Sequence, residues 1–189
     1  VRVARELAAE RPEVYMPFQY GNPANPQAHY ETTAPEIMAD LPGAAALVAG
    51  LGTGGTVTGC GSRLKEWNPD LKVYAAEPQY GDEVYGLRNL DEGYVPEVLD
   101  QSVLDSRIKV DSRKALDFTR RLILEEGIFA GVSTGASLAV AVRVCRRLPP
   151  GSEVVAISPD GGWKYLSTGA YDPGDAGSIA DRLAGTLWA

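Results

Sequence analysis

Between an apolar run and a helical pattern stand seven residues, Gly50-Leu51-Gly52-Thr53-Gly54-Gly55-Thr56, with the composition of an anion cradle. The first N–H groups of a helix lack intrahelical partners, the helix dipole adds positive potential there, and glycine lets an anion approach the backbone closely. Thr53 and Thr56 add hydroxyls for phosphate oxygens, while Gly52, Gly54 and Gly55 clear the approach. No lysine follows where a nucleoside-triphosphate P-loop needs one, and the dinucleotide glycine fingerprint is matched only in part. A strand-helix turn that merely packs tightly is the plain alternative on this spacing alone.

A second turn, Gly131-Val132-Ser133-Thr134-Gly135, has similar chemistry, although Ser and Thr are also ordinary helix caps. Arg88, in Tyr85-Gly86-Leu87-Arg88-Asn89, lies where a guanidinium either grips a substrate anion through paired hydrogen bonds or stands solvated. His29 is the only histidine, which excludes most multi-histidine metal sites and argues against a Ser-His-Asp hydrolase. Cys60 and Cys145 stand in neither a CxxC nor a Cys/His spacing and read as buried free thiols in helices.

The elements that must position these residues alternate along the chain. An amphipathic helix over residues 1–10 ends at Pro12, residues 14–20 alternate like a short strand, and the turn-rich stretch 21–26 precedes a helix over 28–41. Residues 44–49 form a buried strand, and the glycine-rich segment opens a helix that stops at Asn68-Pro69. Strands at 72–76, 108–110 and 154–157 alternate with helices at 112–126, where Ala115, Phe118, Leu122 and Ile123 make the apolar face, and at 136–147. Residues 77–94 read as a functional surface loop. The fold class is therefore α/β, a mostly parallel sheet with helices on both faces. With 189 residues and 44% hydrophobic content, one domain can bury a real core. A net charge of -7 argues against a nucleic-acid partner, and no apolar run approaches the roughly 20 residues that span a bilayer.

Taken in order, these segments resemble the cysteine synthase and cystathionine beta-synthase family, the fold-type II pyridoxal-phosphate enzymes. Gln19-Tyr20-Gly21-Asn22-Pro23-Ala24-Asn25-Pro26, with His29 and Thr32-Thr33 following, looks like the family's Gln-Phe-x-Asn-Pro-Ala-Asn-Pro segment. Gly52 to Thr56 matches its cofactor-phosphate loop, and Tyr165-Leu166-Ser167-Thr168 resembles a segment near its end. The resemblance covers nearly the whole chain. It implies pyridoxal 5'-phosphate as cofactor, held by Gly52, Thr53, Gly54, Gly55 and Thr56, with Ser133 hydrogen-bonded to the pyridine nitrogen. A serine there leaves that nitrogen largely unprotonated and the ring a moderate electron sink, which suits loss of an activated side-chain oxygen and its replacement by sulfur to give cysteine.

Tyr80-Gly81-Asp82-Glu83-Val84-Tyr85-Gly86-Leu87-Arg88-Asn89 and the ending Leu187-Trp188-Ala189 look like the O-phosphoserine-using branch. This implies that Arg88 and Gln19 bind the amino-acid substrate, Arg88 taking its phosphate, and that a thiocarboxylated small carrier protein gives the sulfur. O-acetylserine and sulfide remain the competing substrate and donor. The resemblance further implies a cytoplasmic homodimer, and a tail at residues 185–189 that shields the site.

One departure is large. The family's cofactor-binding lysine sits in a Ser-x-Lys-Asp-Arg segment, and none of Lys65, Lys72, Lys109, Lys114 and Lys164 has that context. Residues 1–189 are accordingly expected to be the larger, C-terminal cofactor-binding portion, with the smaller N-terminal domain absent, no catalysis by these residues alone, and apolar surface left exposed. A non-catalytic module that binds pyridoxal phosphate or phosphate is the alternative.

Overall fold

The apolar run at residues 44–50 becomes an inner strand of a four-stranded parallel sheet in the computed structural model, which describes residues 2–172 and 174–183. The strands are β1 (Ala44–Gly50), β2 (Lys72–Pro78), β3 (Ser106–Val110) and β4 (Glu153–Ala156), in the order β3-β2-β1-β4. Leu47 of β1 stands opposite Val73 of β2 and Val155 of β4. Strands covered on both sides read as unbroken apolar runs. Ala46 and Val48 face a core shared with helices α5 (Ser112–Glu126), α6 (Val132–Cys145) and α7 (Ala176–Leu183). Leu47 packs on the opposite side, against α3 (Ala34–Asp40) and α4 (Gly55–Trp67).

Helix α5 begins where Asp111 accepts the Lys114 N–H at 2.8 Å and ends at Gly127, in the left-handed conformation at φ 71°. Its buried side is Ala115, Leu116 and Thr119, with Phe118, Leu122 and Ile123 half-buried beside it.

Four expectations are corrected. Residues 14–20 form no strand: Phe18 turns to φ 45°, and its carbonyl accepts the N–H of both Gly21 and Asn22. The following helix starts at Ala24 rather than 28, because Asn22 Oδ1 accepts the Ala24 N–H at 3.0 Å and Pro26 is tolerated in a first turn. This α2 (Ala24–Ala28) runs through a π-helical turn, His29–Thr33, into α3. Likewise α6 starts at Val132, so Ser133 is in its first turn, and what precedes it is a single antiparallel bridge from Ala130 to Gly161. Cys145 is exposed, one residue and so about 100° around the helix from buried Val144, whereas Cys60 is buried.

Helix α1 (Arg2–Glu10) has no buried residue, and its apolar Val3 and Leu7 are exposed at 69% and 40%. The tail expected to shield the site, residues 185–189, lies outside the described residues. Among those described, no helix is long and apolar enough to cross a membrane, and no cluster of His, Cys, Asp or Glu could hold a metal ion.

Candidate cofactor and substrate site

The glycine-rich loop lies at the C-terminal end of β1, where ligands gather in parallel α/β sheets. Leu51 N–H donates to Ala76 O of the neighbouring strand, Gly54 turns left-handed at φ 85°, and α4 follows. Each glycine is there because something stands where a side chain would go. A Cβ on Gly52 would lie 2.6 Å from Gly86 O, and one on Gly55 would run into the amide of Asn25. That Asn25 amide donates to Thr53 Oγ1 at 3.0 Å and to Gln19 O at 2.7 Å. His29 Nε2 lies 3.2 Å from Thr56 Oγ1, and its Nδ1 lies 3.0 Å from Thr33 Oγ1. Burial lowers the His29 pKa, which favours the neutral ring, with one nitrogen donating and the other accepting. Asn25 and His29 thus orient the two threonine hydroxyls. The Asn-Pro-Ala-Asn-Pro segment just before His29 was the sequence signal available for this contact.

Thr53, Gly54 and Thr56 line a cleft of about 550 Å³, together with Ser133 and Tyr165. Ser133 is buried, and its hydroxyl has no hydrogen bond among the described residues. The turn before it is tied down by Asp160, whose carbonyl accepts the Gly131 N–H at 3.0 Å. Asp160 Oδ2 accepts from Tyr165 Oη at 2.7 Å and from Lys164 Nζ at 3.0 Å, while Oδ1 is buried without a partner among the described residues. Burial, and then the Asp160 carboxylate, push the Tyr165 phenol far above its ordinary value, so it remains a donor. Asp160 was not singled out from sequence, since Pro159-Asp160-Gly161-Gly162 reads only as a turn, and Tyr165 entered only within the Tyr165-Leu166-Ser167-Thr168 resemblance, without a role.

This cleft fits a phosphorylated aromatic ring. A loop of glycines that an added Cβ would obstruct opens onto a helix start, and the unengaged Ser133 hydroxyl lines the same cleft.

A second cleft, of about 350 Å³, adjoins the first through Gly52, Thr53, Gly86 and Leu87, and holds both Gln19 and Arg88. Arg88 is anchored to the glycine loop, its N–H donating to Leu51 O at 2.7 Å. The expected surface loop is therefore packed onto the cradle. Gly52, Thr53, Gly54, Thr56, Ser133, Arg88 and Gln19 line these two joined clefts, whereas Gly55 is buried beneath the loop against Asn25 and lines neither.

The lysines are elsewhere or engaged. Lys65 and Lys72 pair with Asp105, Lys109 pairs with Asp91, Lys114 sits on α5, and only Lys164 reaches the cleft, paired with Asp160.

Comparison with known proteins agrees with this geometry. A family model described as "Pyridoxal-phosphate dependent enzyme" matches residues 1–160. O-ureido-L-serine synthase of Streptomyces lavendulae is 42% identical over 191 residues, covering 96% of this chain and 59% of that protein. A probable cysteine synthase of Bacillus subtilis (strain 168) is 41% identical over 179 residues, covering 89% of this chain and 58% of the relative. The crystal structure of O-ureido-L-serine synthase superimposes with a TM-score of 0.83 at 40% identity, over 97% of this chain and 60% of that one. The chain thus spans about three fifths of the length of the relatives it matches.

Proposed function

The chain belongs to the family of pyridoxal-phosphate-dependent enzymes, and from that premise we propose that its longest natural form makes cysteine by β-replacement on O-phosphoserine. Arg88 carries this reading. It lines the cleft next to the cradle and makes no ion pair with any carboxylate among the described residues. A guanidinium so placed can take two oxygens of a substrate phosphate at once. Gln19, on the same cleft, offers an amide to the amino-acid end of the substrate.

Residues Gly52 to Thr56 would hold the cofactor phosphate through the backbone N–H groups at the start of α4 and the two hydroxyls, and Ser133 would donate to the ring nitrogen. When bound, pyridoxal 5'-phosphate supplies an electron-withdrawing ring that weakens bonds at the substrate α-carbon. Asn25 and His29, in contact with the Thr53 and Thr56 hydroxyls, would hold them in place for the phosphate. Tyr165 and Asp160 hold the Ser133 turn in place.

The sulfur donor in this reading is a thiocarboxylated carrier protein, with sulfide as the simpler alternative. Similarity to O-ureido-L-serine synthase supports a second reading in which a ureido-bearing oxygen nucleophile replaces the sulfur. The protein works in the cytoplasm as a homodimer, with residues 1–189 as the larger cofactor-binding portion of each subunit. These residues alone are inactive in this proposal, because no unengaged lysine lines the cleft among the described residues.

The test is cysteine formation by the longest natural form loaded with pyridoxal 5'-phosphate, comparing O-phosphoserine with O-acetylserine in the wild type and in Arg88→Ala. Wild type prefers phosphoserine, and Arg88→Ala loses about 30- to 100-fold on it, the worth of charge-assisted hydrogen bonds. Equal use of acetylserine by both proteins overturns the phosphoserine assignment. Turnover only with hydroxyurea as acceptor favours the second reading.

A further inference from the structure

We infer that Tyr20 and Tyr94 form an aromatic seat that holds the Arg88 guanidinium at the cleft, and that this seat makes the site select a doubly charged phosphate over a neutral ester. The inference rests on the reading of Arg88 just given, and it adds two residues to which no role has been assigned.

Arg88 is fixed from behind. Its N–H donates to Leu51 O at 2.7 Å, and buried Asn89 donates from Nδ2 to Pro78 O at 2.9 Å. Its side chain then spends Nε on Tyr20 Oη at 3.2 Å. The guanidinium carbon stands 5.1 Å from the centre of the Tyr20 ring and 5.5 Å from that of Tyr94, both within cation–π range. The two rings meet edge to face, centroids 5.6 Å apart at 78°, so each ring also holds the other.

The rings arrive from separate segments with firm backbone settings. Tyr20 lies in the turn made by Phe18, and its carbonyl accepts the Val98 N–H at 3.1 Å. Tyr94 follows Gly93, whose φ of 94° ends the short helical turn Leu90–Glu92. Arg88 therefore sits against two rings rather than on a carboxylate among the described residues.

Arg107, by contrast, is engaged by Glu77 and Asp91. The acidic residues that line the Arg88 cleft are Asp82, Glu83 and Glu92. Asp82 accepts the N–H groups of Glu83 and Ser112, and Glu92 accepts that of Gly81, so both have backbone partners. With Nε committed to a phenol, the two terminal nitrogens keep their donors for a ligand. That planar edge matches two phosphate oxygens, while an acetyl ester presents one carbonyl and no charge. Pre-ordering the long side chain removes the loss of rotamer freedom that binding would otherwise impose.

The experiment measures apparent dissociation constants of O-phospho-L-serine and O-acetyl-L-serine from the concentration dependence of first-turnover rates, without a sulfur donor, on the longest natural form loaded with pyridoxal 5'-phosphate. Variants are Tyr94→Leu, Tyr94→Phe, the pair Tyr20→Leu/Tyr94→Leu, and Arg88→Ala. Tyr94→Leu weakens phosphoserine about fivefold and the pair about twentyfold, from the usual strength of exposed cation–ring contacts. Acetylserine stays within about twofold in each, and Tyr94→Phe, which keeps the ring, binds phosphoserine like wild type. If Tyr94→Leu weakens both ligands alike, or neither, the aromatic seat is refuted even though Arg88→Ala still loses phosphoserine selectively. If Arg88→Ala leaves phosphoserine binding unchanged, the reading of Arg88 fails first and the seat falls with it.

Discussion

Replacing Gly52 with alanine tests whether the cradle is shaped by what packs against it. The new Cβ would sit 2.6 Å from Gly86 O, a backbone atom, and that carbonyl must retreat by about 0.8 Å to reach ordinary contact. Retreat is resisted on both sides. Leu87 N–H is bonded to Val84 O, Arg88 N–H is bonded to Leu51 O, and the Leu87 side chain fills the space that a Cβ on Gly50 would need. Overpacking of this kind costs about 1–3 kcal/mol. Taking about 2 kcal/mol, a chain of this size should melt about 4–8 °C lower. The same shift displaces Arg88 and the first N–H groups of the loop together, so pyridoxal phosphate should bind about tenfold more weakly, as expected for loss of about one good hydrogen bond to a charged group. Thermal melts and fluorescence titration with pyridoxal 5'-phosphate read the two effects, and Gly151→Asn, at φ 87° in open space, is the control. An unchanged melting temperature together with wild-type cofactor affinity in Gly52→Ala would refute the idea that close approach of two backbones builds the site.

Two further substitutions probe the supports. Glu77 is fully buried at the end of β2, and its carboxylate meets Arg107 at 3.3 Å and the Leu90 N–H at 3.4 Å. Arg107→Met strands that charge and should lower the urea-unfolding free energy by about 3 kcal/mol, with partial recovery in Glu77→Gln/Arg107→Met; a change below about 0.5 kcal/mol would show that the pair is dispensable. For His29, burial holds the native pKa below the ordinary 6.5, so both states are neutral above that value. On acidification the unfolded chain takes the proton first, and stability falls as the pH drops from 6.5 toward the native pKa. Urea midpoints at pH 7.5 and 5.5 should therefore fall further in wild type than in His29→Gln, and an equal fall in both would remove His29 from the account.

Much of this was legible in the sequence because it was local. The apolar run at 44–49 and the strand pattern at 72–76 fit a parallel sheet covered on both faces, and Asp111 and Gly127 mark the ends of α5 chemically. Residues 14–20 misled because alternation over so few positions cannot tell a strand from a turn, and the φ of Phe18 decided the matter. The start of α6 was misplaced because Gly131-Val132-Ser133-Thr134-Gly135 is equally acceptable as a loop and as a first helical turn.

The candidate site divides in the same way. The sequence by itself determined the glycine-rich strand-helix turn proposed as the cradle, since glycines and threonines between a strand and a helix carry their chemistry in the backbone and in short hydroxyls. It could not show that Gly86 presses on Gly52, that His29 reaches Thr56 across 27 positions, or that Tyr20 comes from 68 positions away to meet Arg88. Those contacts join segments far apart in the chain, so no local pattern encodes them. Only tertiary packing decided which lone polar residue is a support, that Arg88 lines a cleft without a carboxylate partner among the described residues, and that the two clefts are joined.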